Sequence, residues 1–329
     1  MTLAGSGPCR RRKNLLPKVS LIIPVYNQER YIQESVESAL KQDYEPLEVI
    51  VVDDGSTDRT SRILKRFGQR IRYIPQENRG AAAALNRGVQ LAQGSFVGWL
   101  SGDDLYLPGK ITAQVHEFQA EPSLGLVYTD WVMIDAGGRE IRTVCAPCPS
   151  AERFARELLK SNFINGSSVL IRKECLARVG YFDETLVADV DGDMWFKLLK
   201  YGHRFGHVAR PLLKYRRHPS NLSHNYRLMQ SWKDQVRLKV VETFSIEELF
   251  ADLLKNDGFD EGRAYEKLAL SLAKGLNFRA AQAALRKSSQ RGEFSLRRIF
   301  LRNMLAAMNT KWMLEFLVGI RKIKRLCLE

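Results

Sequence analysis

The chain has 329 residues, enough to bury one large core plus a smaller appendage, and its 45% hydrophobic and 27% charged content excludes disorder as the default. Its 51 lysines and arginines outnumber 37 aspartates and glutamates, and the net charge of +14 asks for an anionic partner such as nucleic acid, a membrane surface or a phosphorylated substrate. Five cysteines do not make a disulfide frame in so long a chain, and Cys145 and Cys148 form one C-x-x-C without a second pair, which favours loop thiols over zinc.

The basic Arg10-Arg11-Arg12-Lys13 is followed by no apolar run before Pro17, which argues against a secretory signal. No apolar stretch reaches the roughly 18 residues that a membrane span needs. A cytoplasmic setting is therefore expected. From residue 19 short apolar runs alternate with amphipathic segments. Residues 19–25 are β-branched-rich and read as a buried strand, with Pro24 near its end. Residues 30–40 place Ile32, Val36, Ala39 and Leu40 at helical spacing. Residues 47–52 form a second strand, closed by Asp53-Asp54-Gly55-Ser56, after which Thr57 or Asp58 can cap a helix toward Phe67. Residues 71–74 are a third strand, 81–92 a third helix, and 96–100 a fourth strand ending at Ser101-Gly102-Asp103-Asp104. This rhythm predicts a parallel sheet covered on both faces, with ligands beyond the carboxyl ends of the strands. Two of those ends carry paired carboxylates.

Each acidic cluster has a plain turn or cap explanation and a chemical one. Asp53 and Asp54 suit a strand-to-helix turn, or a hydrogen bond from a base or ribose. Asp103 and Asp104 repel each other unless a cation sits beside them, and a divalent ion carrying a diphosphate would serve. Asp189-Val190-Asp191-Gly192-Asp193 runs into the apolar Met194-Trp195-Phe196, where acids complement a helix N-terminus and one could act as a general base. His218 follows Tyr215-Arg216-Arg217, a cationic run suited to phosphate oxygens.

In this order, Pro24-Val25-Tyr26-Asn27, Val52 through Asp58, Asn78 through Asn86, Ser101 through Asp104 and Asp191 through Trp195 resemble family 2 glycosyltransferases over residues 18–220. Asn165-Gly166-Ser167-Ser168 and residues 179–184 resemble that family's acceptor-side segments. The resemblance implies a GT-A fold, an α/β Rossmann-like and mostly parallel sheet covered by helices. It also implies inverting transfer from a nucleotide-sugar donor, a UDP-sugar foremost, with Mg²⁺ or Mn²⁺ as cofactor. By position, Asp54 would bind the nucleobase with Pro24, Tyr26 and Glu29 lining its pocket. Asp103 would serve donor and metal, with Asp104 and His218 as further metal contacts, and Asp191 would be the catalytic base. Two positions depart from the pattern: Ser101 stands where the acidic motif often begins with Asp, and Val190 precedes Asp191 where Glu is common. Asp189 is thus a substitute candidate for the base. The acceptor would be a glycan, a lipid-linked molecule or a protein, met by loops between residues 129 and 168.

From residue 226 strand signals vanish. Residues 264–274 and 278–287 predict a helical hairpin packed through Ala280, Ala281, Ala283 and Ala284. The expected division is a catalytic domain at 18–225 and a basic helical region at 226–329. Arg297, Arg298, Arg302, Lys311, Arg321 and Lys322 interleave with apolar residues over 296–325, which offers an anionic membrane surface as a partner, at the inner membrane face. The rival readings are a nucleotidyltransferase on a similar sheet and a basic nucleic-acid-binding or scaffold protein. The loop after the first strand lacks the glycine-rich phosphate cradle of the first, no nucleic-acid motif supports the second, and no nucleic acid is expected as a partner.

Overall fold

The structure, a computed structural model, describes residues 16–255, 258–291 and 303. Four strands, β1 (Val19–Val25), β2 (Leu47–Asp54), β3 (Arg72–Gln76) and β4 (Phe96–Trp99), lie parallel in the order β3-β2-β1-β4. Helices α1 (Ile32–Leu40), α2 (Thr60–Lys65) and α3 (Ala81–Leu91) connect them. Side chains alternate across a strand, and here both faces are covered: Ile22, Ile50, Val52 and Val97 enter one apolar cluster, while Leu21, Ile23, Val49 and Val51 enter another. The strands therefore read as unbroken apolar runs in the sequence. The N-cap position of α2 is Arg59 and not Thr57 or Asp58, although Asp58 accepts the Thr60 backbone N–H at 2.9 Å just ahead of it.

Beyond β4 the sheet turns mixed. The chain continues through β5 (Leu105–Tyr106), α4 (Lys110–Ala120), β6 (Leu124–Ile134), β7 (Glu140–Val144) and α5 (Ala151–Lys160). It then forms β8 (Leu170–Arg172), α6 (Lys173–Arg178), α7 (Val190–Lys200) and β9 (Arg204–Arg216). The sheet extends β4-β8-β6-β9-β5, with β7 on β6. Strand β8 runs antiparallel to β4 and β6, whereas β9 runs parallel to β6. The α/β sheet expected from the sequence is observed, with its parallel order concentrated in β1 to β4.

Among the described residues there follow α8 (Tyr226–Thr243), α9 (Ile246–Phe250), α10 (Glu261–Lys274) and α11 (Phe278–Gln290). Ser245 and Glu248 cap α9 reciprocally, and Asp260 caps α10 through the Arg263 N–H. Helices α10 and α11 form the hairpin that alanine spacing predicted, with all four alanines buried. The boundary at residues 225 and 226 falls at the start of α8, yet one apolar cluster runs across it, joining Leu158, Leu159 and Trp195 to Val236, Val240 and Phe278. The basic residues at 10–13 and 296–325 lie outside the described residues. No described helix is long and apolar enough to cross a membrane.

Candidate functional site

The loops after β1 and β2 are stitched together. Asn27, held at φ 51°, donates its N–H to Ser56 Oγ (3.0 Å) and accepts from the Thr57 N–H (2.8 Å). Glu29 donates its backbone N–H to Asp58, while its carboxylate accepts from the Arg59 N–H at 2.9 Å. Glu29 thus braces the loop pair. Pro24 is half-buried, and Tyr26 stands 47% exposed at the rim, where a planar base could reach it.

Asp53 and Asp54 are both buried but point to different tasks. Asp53 accepts from the Ser56 N–H (3.0 Å) and the Tyr73 hydroxyl (2.8 Å). Asp54 Oδ1 accepts from Gln76 (2.8 Å) and the Arg79 N–H (2.9 Å), and Oδ2 from the Gly80 N–H (2.8 Å). A carboxylate accepts about four hydrogen bonds, so Asp54 keeps one acceptor direction at Oδ2. Arg79 also reaches across to Glu184 (2.9 Å), and Glu184 and the Phe182 backbone bind Asn86. The segments at 78–86 and 179–184, noted separately in the sequence, are thus one connected wall.

The turn after β4 separates the next pair. Asp103 Oδ2 accepts from Asn221 (2.8 Å) and stands 3.0 Å from His218 Nε2. His218 is 4% exposed, with its ring on Tyr31 at 4.7 Å. Asp104, expected as a second metal contact, does not take that place. Its Oδ1 accepts the Arg216 N–H (3.0 Å) and its Oδ2 the Ser167 hydroxyl (2.6 Å), with 1% of the residue exposed. Burial, with the Asp103 charge beside it, pushes the Asp104 carboxyl well above the usual range. Arg216 also departs from its expected role toward phosphate. Its guanidinium is spent on the Asp103 and Ala136 carbonyls and on Glu34, which fixes the turn from below.

Among the described residues no group of three or more His, Cys, Asp or Glu could hold a metal ion alone. The donor set that converges is one carboxylate, Asp103, and one imidazole, His218. That set fits a divalent ion bound largely through phosphate oxygens, the usual habit of Mg²⁺.

Asp191 opens α7. Its Oδ1 accepts the Gly192 N–H (2.8 Å), and the residue is half-buried. Burial first, and then the Asp189 charge, push its carboxyl up to about 7. Asp189, the substitute candidate, is committed elsewhere: it caps α7 in the left-handed region (φ 56°) with Oδ2 against Arg237 at 3.3 Å. Gly166 explains how Asp191 meets the Asp103 turn. A Cβ there would stand 3.4 Å from Asp191 Oδ2 and 3.1 Å from Trp99 Nε1, so the backbone lies close against both. The next residue, Ser167, accepts the Ser101 N–H (3.1 Å) and donates to Asp104. The segment Gly166–Ser168 therefore ties the turn after β4 to the start of α7.

Sequence reasoning missed Asn221, the structural task of Arg216, and Arg237. A buried arginine inside a basic run looks like its solvated neighbours, and Asn221 carries no signal beyond lying three residues after His218.

Residues 20–180 match the family model for glycosyl transferase family 2, and residues 150–246 that for glycosyl transferase family group 2. The chain belongs to glycosyltransferase family 2. It is 37% identical over 192 residues to an uncharacterized glycosyltransferase of Rickettsia typhi, covering 56% of this chain and 59% of that one. The chain spans between 20% and 59% of the length of the curated relatives it matches. Its fold, GT-A-like, is shared with S. aureus TarS in complex with UDP-GlcNAc (TM-score 0.58, 20% identity, 88% of this chain and 79% of that one). It is shared equally with the mannosyltransferase PcManGT of Pyrobaculum calidifontis in complex with GDP-Man and Mn²⁺ (TM-score 0.58, 21% identity, 94% and 88%).

Proposed function

We propose that this chain is an inverting, metal-dependent glycosyltransferase that moves a sugar from a nucleotide-sugar donor to an acceptor hydroxyl. The observation that carries the reading is the placement of Asp191. A half-buried carboxyl, raised toward neutrality, lies against the same short backbone segment that holds the Asp103–Asp104 turn. A base and an anion-handling turn are thereby fixed relative to each other by a few bonds.

Asp54, with Tyr26 and Pro24 beside it, receives the nucleobase through its remaining acceptor direction, and the UDP and GDP donors named for the fold neighbours support a nucleotide there. We favour a UDP-sugar. Asp103 and His218 hold a Mg²⁺ or Mn²⁺ ion, which when bound offsets the charge that builds on the leaving diphosphate. Asp104 and Arg216 keep Asp103 in place. Asp191 takes the proton from the acceptor hydroxyl as that oxygen attacks the anomeric carbon opposite the diphosphate. A glycan, a lipid-linked molecule or a protein is the acceptor class, in polysaccharide, glycolipid or glycoprotein glycan synthesis.

A panel of nucleotide-sugars with Mg²⁺ or Mn²⁺, scored by nucleoside diphosphate release, tests the reading. Release from one donor is expected, abolished by EDTA and by Asp103→Asn. Neither release nor binding with any donor would overturn it.

A further inference from the structure

We propose that Arg237, on the helix that follows the sheet, is a positioning residue for the transfer step, holding the first turn of α7 and hence the aim of Asp191. The inference rests on Asp191 being the base, as proposed above. Arg237 is 3% exposed, and its guanidinium makes three hydrogen bonds through Nε and Nη1. Nε donates to the Leu159 carbonyl at the end of α5 (3.0 Å), and Nη1 reaches Asp189 Oδ2 (3.3 Å) and the Lys233 carbonyl (3.2 Å). One planar fork thus joins α5, α8 and the cap of α7, a geometry that an ammonium cannot reproduce.

Asp189 needs that restraint. It sits in the left-handed region, which aspartate tolerates better than most residues but at a cost that its buried contacts must offset. Its carboxyl is folded so tightly over the first turn of α7 that a Cβ on Gly192 would stand 2.8 Å from the carboxyl carbon and both oxygens. Asp191 lies between Asp189 and Gly192, so a shift of the cap moves it directly.

The surrounding charges are arranged by the same helix. Asp193, on the far side of Asp191, meets Lys239 of α8 (2.9 Å) and Lys197 of α7 (2.9 Å). Lys233 of α8 faces both Asp189 and Asp191, and the Asn162 side chain faces Asp189. The Gly166 backbone also lies close to Asp191, since a Cβ there would stand 3.4 Å from Asp191 Oδ2. The two flanking carboxylates are each met by a cation from α8, Arg237 at Asp189 and Lys239 at Asp193, so this helix sets the charges on both sides of Asp191. The helical region is in this sense part of the active centre.

The test compares Asp191→Asn, Arg237→Met, Arg237→Lys and Asp189→Asn in the full chain, with kcat, donor KM and the pH dependence of turnover. For Arg237→Met, kcat should fall about tenfold to a hundredfold, with donor KM within about twofold. Its acid limb should move to lower pH, because Asp189 left buried without its cation takes up a proton, and the neutral carboxyl no longer disfavours ionisation of Asp191. Asp189→Asn should move the limb the same way, and Arg237→Lys should keep the limb and recover part of kcat. If Arg237→Met does not fold, Asp189→Asn and Arg237→Lys carry the same comparison. Full turnover in Asp191→Asn would overturn the choice of base. Loss in Asp191→Asn, with wild-type kcat and acid limb in the Arg237 and Asp189 variants, would overturn the role of Arg237 alone.

Discussion

A carboxyl held near neutrality makes two linked predictions for Asp191→Asn, one kinetic and one thermodynamic. With its midpoint at about 7, Asp191 is about one-tenth ionised at pH 6 and about nine-tenths at pH 8, so wild-type kcat/KM should rise about ninefold between them. An ordinary carboxylate, at about 3.9, would leave the rate flat over that range. The same shift is a cost to the fold. The folded chain binds this proton up to about pH 7 and the unfolded chain only up to about pH 3.9, so stability falls as pH rises between them. Three pK units at about 1.4 kcal/mol each set a ceiling of roughly 4 kcal/mol, and sharing the charge with Asp189 brings a realistic figure to about 2–3 kcal/mol. Asparagine keeps the acceptor for the Gly192 N–H without the charge. Asp191→Asn should therefore lose transfer while gaining about 2–3 kcal/mol at pH 8 and nothing near pH 4. Urea titrations at several pH values, beside kcat/KM measured with saturating metal, read both effects. A flat rate between pH 6 and 8, or a stability gap independent of pH, would refute the reasoning.

Lys110 gives a second pH-dependent outcome beneath the same site. It is fully buried, its Nζ donates to Gln114 Oε1 (2.8 Å) and lies over the Tyr106 ring (4.2 Å), and burial pushes it well below the usual lysine range. Burial makes the folded chain release this proton at lower pH than the unfolded chain does, so Lys110→Met should gain on the wild type as pH falls below the normal lysine value, against a loss of about 1 kcal/mol of hydrogen bonding. Its advantage should shrink by about 1.4 kcal/mol per pH unit as pH climbs toward the normal lysine value of about 10.4, as denaturant midpoints would record. Gly192→Ala should destabilise by about 1–2 kcal/mol, because the added methyl drives into the Asp189 carboxyl and the clash outweighs the helix preference of alanine. A thermal melt and a turnover assay on that variant should fall together.

The amino-acid order carried a good part of this site openly. Strands β1, β2 and β4 were legible because both their faces are buried, which writes a short unbroken apolar run. The acids beyond β2 and β4 were legible because a strand that ends at a ligand site must end in a polar turn. The hairpin α10–α11 was legible from alanine spacing. All of these are signals within a dozen residues. What stayed hidden depends on partners far along the chain. Nothing local distinguishes Asp103 from Asp104. Asp104 turns inward because the backbone of Arg216, 112 residues on, and the hydroxyl of Ser167 are there to receive it. The reversal of β8 depends on the neighbours it finds in β4 and β6. Arg237 resembles any other basic residue on an amphipathic helix until the fold delivers it to Asp189. Hydrogen bonds and ion pairs between distant residues leave no period in the chain, and they decide which acid faces the ligand and which holds the wall.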